Sequence, residues 1–120
     1  MSRRVLRATI ALLSLVAGGV RADPPSFPEF DDVRLQLGRG IWLDTCQACH
    51  ANDIAGAPLV SDAEAWRPRI AQGREVLYQH ALEGFFGPKG TQMPPRGGND
   101  VLTDDEVRAA VDYMIAIVSK

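Results

Sequence analysis

Apolar residues recur along this chain at helical spacing, not in strand alternation. Val33, Leu37 and Ile41 stand four apart, with Gly38 and Trp42 one step round, which predicts a helix with one apolar face. Asp31 and Asp32 sit where the positive end of its dipole favours acid. Ser61-Asp62-Ala63-Glu64 has the form of a capping box, opening a short helix that Pro68 interrupts or restarts. After Gly73, "REVLYQHALEG" predicts a helix with Val76, Leu77, His80 and Ala81 near one face and Gly84 at its end. Thr103-Asp104-Asp105-Glu106 is a second capping box. Behind it Val107, Ala110, Val111, Met114, Ile115 and Val118 fall at i, i+3, i+4, i+7, i+8 and i+11. The expected fold class is all-α, four short helices joined by long loops.

The first 22 residues follow a different pattern. A basic start (Arg3, Arg4, Arg7) leads into an uncharged run from Ala8 to Val20, then Val20-Arg21-Ala22, the form of a secretory signal peptide over 1–22. That run of 13 residues is short against the roughly 20 needed to span a bilayer. The expectation is export to the periplasm, with no transmembrane anchor after cleavage. "DPPSFPEF" (23–30) is proline-rich, so residues 23–32 read as an extended lead-in to one domain over 33–120.

Cleavage after Ala22 leaves 98 residues with nine basic and fifteen acidic side chains, net −6. Such a surface argues against nucleic acid, which calls for a basic stripe. It is compatible with a basic protein partner. "GFFGPKGTQMPPRGGND" holds too many glycines and prolines for regular structure. Short helices and so long a loop make a thin interior, which implies that an apolar group absent from the sequence completes the core.

Both cysteines of the chain lie in Cys46-Gln47-Ala48-Cys49-His50. A disulfide between them would close too short a loop to stabilise much. Zinc needs four ligands, and only His80 remains as a further nitrogen donor. A thioredoxin-like couple belongs after a strand, and none is predicted. Covalent haem fits: two thiols with two residues between them can form thioethers to the vinyl groups, and the adjacent histidine then faces the iron. The export signal agrees, because this attachment is made outside the cytoplasm.

With "CQACH", "GAP" at 56–58, "MPPRGG" at 93–98, and Gly38, Trp42 and Tyr113, the chain resembles the monohaem class I cytochromes c, short bacterial type. The resemblance covers nearly all of 33–120. It implies one haem c per chain, attached through Cys46 and Cys49, with His50 as one axial ligand. Some relatives carry a second cysteine pair before the last helix; here Asn99 to Leu102 stand in its place.

For the other axial position, Met93 sits in an irregular segment stiffened by Pro94-Pro95, and no helix face accounts for it. Met114 reads as core, and His80 is the rival ligand. The resemblance further implies that the Pro58 carbonyl accepts from the His50 ring. It makes Trp66, Arg67 and Arg69 candidates for the haem propionates, and it puts Gly38, Trp42 and Tyr113 where the first and last helices cross.

The function implied is that of a soluble exported one-electron carrier, not an enzyme. It would be a monomer meeting redox donor and acceptor proteins transiently, with the "AGAP" and "FFGPKG" loops around an exposed haem edge. Two alternatives stand beside it. An iron without Met93 would have an open site for peroxidatic or gas-binding activity. A fixed haem subunit of a larger oxidoreductase would use "DPPSFPEF" to dock.

Overall fold

The structure, a computed structural model, describes residues 26–120; the expected signal peptide lies outside them. Helix α1 (Val33–Ile41) passes without a break through a π turn (Trp42–Cys46) into α2 (Gln47–His50). Asp32 caps it by accepting from the Leu35 N–H at 2.9 Å. In a regular α-helix, residues at fourfold spacing drift by ~40° per step. The wider π turn offsets that drift, so Gly38, Trp42, Cys46 and His50 stay on one side. Gly38, Trp42 and His50 are buried, and Cys46 packs against the same core.

The apolar stripe expected on α1 is displaced. Val33 is 79 % exposed and Leu37 43 %, while Gly38 and Trp42 form the buried row. Fourfold spacing alone does not say which of two adjacent rows meets a partner. The close crossing with helix α5 (Asp104–Val118) decides it, because only glycine fits beneath the Ala109 carbonyl.

Helix α3 (Ala63–Ile70) starts one residue later than the sequence suggests: Asp62, not Ser61, is the cap, accepting from Ala65 N–H at 3.0 Å. Pro68 lies inside α3, which runs through it; in a two-turn helix the ring forfeits a single bond, to the Glu64 carbonyl. Helix α4 (Arg74–Glu83) ends at Gly84, φ 85°, where glycine is required. The glycine-rich segment is more regular than expected. Phe85–Phe86 (β1) pairs antiparallel with Gln92–Met93 (β2), and Pro95–Gly98 make a 3-10 turn. Two-residue strands are too short to leave a period in sequence. α5 opens with the predicted Thr103–Glu106 capping box.

The core divides in two. One cluster joins Trp42, Trp66, Ala110, Tyr113, Met114 and Val118, with Cys46 at its margin. The other joins Leu77, Tyr78, Ala81, Val107 and Val111, with Met93 at its margin. Residues 26–32, irregular but held, cover the first: Tyr113 donates to the Pro28 carbonyl at 2.8 Å, and Phe27 stands edge-on to Trp42 at 4.4 Å. Among the described residues no helix is long and apolar enough to cross a membrane.

Candidate haem-iron site

Cys46 and Cys49 are free, partly buried thiols one helical turn apart. Burial pushes the Cys46 thiol up to about 11, with Cys49 adding to the shift, so Cys46 is protonated at neutral pH. His50 follows, buried, with Nδ1 2.9 Å from the Pro58 carbonyl oxygen. A carbonyl only accepts, so Nδ1 carries the proton and Nε2 keeps its lone pair. Burial lowers the imidazole pKa, the Pro58 bond opposes that, and Arg69 lowers it further. The ring is neutral near pH 7, the state in which a histidine binds metal.

The chain after His50 doubles back to make that bond. Asp53, Ala55 and Gly56 take left-handed φ values of 51°, 54° and 69°. Val60 N–H then donates to the His50 carbonyl at 2.9 Å, bringing Pro58 over the ring. Trp66 fixes the return by donating its indole N–H to the Leu59 carbonyl at 2.9 Å, and its ring lies 5.9 Å from that of His50. Arg67 is turned outward onto both oxygens of Glu64. Arg69 donates to the Ala65 carbonyl and is the guanidinium felt by His50.

Met93 packs against the second core cluster. Its backbone passes close to Gly84, where a Cβ would stand 2.9 Å from the Met93 carbonyl oxygen and 3.1 Å from Pro95. Phe85 is its cross-strand partner, and the His80 ring stacks on Phe85 at 4.1 Å and 26°. Met114 is core, as its helical position implies.

These residues fit a haem. Cys46 borders one core cluster and the His50 ring stands beside its Trp66, the Met93 thioether borders the other, and Ile70 touches both. A flat apolar group would suit that division, and two thiols followed at once by an imidazole have the attachment chemistry of a c-type haem. Sequence reasoning missed other residues. Asp112, buried at 4 % exposure, takes a bond from Arg34 at 2.6 Å, one from Arg74 at 2.7 Å and one from the Tyr78 hydroxyl. A lone acid inside the apolar run of α5 was the available signal. Arg96, Asn99 and Thr45 around the Met93 segment gave none.

The family described as "Cytochrome C oxidase, cbb3-type, subunit III" matches residues 33–114, and the chain belongs to the cytochrome c family, among its small monohaem class I members. It is 39 % identical to cytochrome c-555 of Chlorobaculum tepidum over 115 residues, 96 % of each chain. Cytochrome c5 of Azotobacter vinelandii is 35 % identical over 79 residues, 64 % of this chain and 89 % of that one. A solved structure, "Crystal structure of electron transfer complex of nitrite reductase with cytochrome c", is similar at TM-score 0.60 and 38 % identity, over 68 % of this chain and 94 % of that one. The protein is therefore an electron-transfer protein with covalently bound haem c, and Cys46 and Cys49 have the spacing of the attachment motif.

Proposed function

We propose that the chain is a soluble, exported one-electron carrier in which Cys46 and Cys49 form the thioethers and His50 and Met93 are the axial ligands. The bound haem supplies the one-electron couple of its iron. The residues set the conditions for that couple. His50 presents a neutral Nε2 in a fixed orientation, and its Nδ1–H bond to Pro58 makes the ligand more basic. Met93 offers a soft thioether, which favours the ferrous state and raises the potential. With both axial positions taken by side chains the iron has no place for a substrate, which supports a carrier, not an enzyme.

Arg69 is the proposed counter-charge for the haem propionates, since it acts on His50 and its own bond is to a neutral carbonyl, that of Ala65, while the Trp66 N–H is taken by Leu59 and Arg67 is neutralised by Glu64. The contact face would be the rim where Gly56 meets Thr91, with Ile54 and Phe86 exposed beside it and Lys89 the one charge between Phe85 and Met93. A small apolar face suits brief encounters of a monomer with redox proteins. The relative solved with nitrite reductase supports a redox enzyme as the kind of partner. Residues 1–22 would direct export to the periplasm.

The observation carrying this reading is the His50–Pro58 bond, which leaves a single free nitrogen beside the two thiols. The test is the ferric absorption spectrum. A weak far-red sulfur-to-iron band, lost in Met93→Ala, is expected. A high-spin or bis-histidine spectrum in the unaltered protein would sink Met93 ligation.

A further inference from the structure

Resting on the reading of Met93 as axial ligand, we propose that Arg96 is the positioning residue that keeps Met93 at the iron, by fastening its segment to the start of α5. The need for a fastener is local. The hairpin bearing Met93 has only two residues in each strand. Pro94 and Pro95, which follow, have no N–H to give to any neighbour. Backbone bonds from Gly97 to the Pro94 carbonyl and from Asn99 to the Arg96 carbonyl close turns within the segment and tie it to nothing outside.

Arg96 makes the outward tie. Its Nη1 donates to the Leu102 carbonyl at 2.9 Å and its Nη2 pairs with Asp104 Oδ1 at 2.5 Å. The two acceptors flank Thr103, the cap of α5, so one planar fork grips both sides of the helix start. Arg96 does this from φ 55°, ψ 25°, a left-handed conformation that favours glycine. Glycine would relieve the backbone but lose the fork. On the opposite side Asn99 donates to Thr45 Oγ1 at 3.2 Å, beside Cys46. The short, doubly proline-stiffened path from Arg96 back to Met93 transmits this anchorage to the sulfur. The relationship is geometric: when Arg96 lets go, the Met93 segment swings away without the fold unfolding.

The test is an imidazole titration of the ferric holoprotein, followed by loss of the far-red sulfur band, together with the reduction potential. Imidazole competes with Met93 for the iron, so its affinity reads how readily the segment opens. Arg96→Gln is expected to bind imidazole about tenfold more tightly and to have a lower potential. Arg96→Gly should behave like Arg96→Gln, Arg96→Lys should fall between, and Asp104→Asn should shift the same way by less. Asp32→Ala, which uncaps α1 beside Ser119 at the far end of α5 from Arg96, should lower the unfolding midpoint and leave imidazole affinity unchanged. An unchanged affinity in both Arg96→Gln and Asp104→Asn overturns the proposal, as does a matching gain in Asp32→Ala. A wild-type protein without the band overturns the Met93 reading and this proposal together; a normal band with unmoved affinities overturns this proposal alone.

Discussion

Gly38 of α1 lies directly beneath the backbone of Ala109 in α5. A Cβ at position 38 would overlap the Ala109 carbonyl oxygen and stand 2.6 Å from its carbon and 3.0 Å from the Tyr113 Cβ. This crossing fixes the helix that carries both cysteines and His50. The obstacle is backbone, which cannot rotate aside. Gly38→Ala should therefore destabilise the fold by about 3 kcal/mol, read from denaturant unfolding. A loss under about 0.5 kcal/mol would mean the helices separate freely.

Asp112 rivets α1 and α4 to α5 through Arg34, Arg74 and Tyr78. Its carboxylate is nearly all buried, while Arg34 and Arg74 keep 40 % and 55 % of their side chains in water. Losing the acid therefore strands cations that water can partly rescue. Asp112→Asn should cost about 2–3 kcal/mol, and Tyr78→Phe about 1 kcal/mol. A double-mutant cycle should show the two effects to be non-additive.

Glu106 carries a pH dependence. The Thr103 backbone N–H and then its hydroxyl hold the Glu106 carboxyl below its usual pKa of 4.5. Its folded pKa is depressed, so its contribution is present above the unfolded value and is lost as pH falls through the folded one. The melting difference between wild type and Glu106→Gln should shrink as pH falls below 4.5. A constant difference would show that the charge is irrelevant.

The loop that aims Pro58 touches the hairpin that bears Met93. Gly56, at φ 69°, would put a Cβ into the Thr91 methyl. Gly56→Ala should cost about 1–2 kcal/mol, partly from φ and partly from that overlap. Adding Thr91→Ser, which removes the methyl, should recover the overlap and leave the φ penalty. Full recovery would show that the backbone there is not strained.

Much of this site was readable because its chemistry is local. The spacing of Cys46 and Cys49 and the adjacency of His50 define an attachment motif whatever surrounds them. The Thr103 cap and the apolar row behind it likewise lie within one helix, and the structure reproduces them. Met93 drew attention as an apolar residue that no helix face explained. The residues that hold it did not, because Arg96, Asp104, Asn99 and Thr45 are linked by the fold and by no period. The choice of Asp62 over Ser61 as cap turned on which oxygen reached the Ala65 N–H, a matter of backbone path.

Covalent order and short-range sterics suffice for the helical class, the attachment motif and a methionine stiffened by prolines. Tertiary structure decided the buried row on α1, the partners of Asp112 and the two-sided grip on the Met93 segment. It also gave the Trp66 indole to the Leu59 carbonyl. Such choices depend on which distant donors and backbones the packed chain brings within about 3 Å, and local pattern carries no record of that.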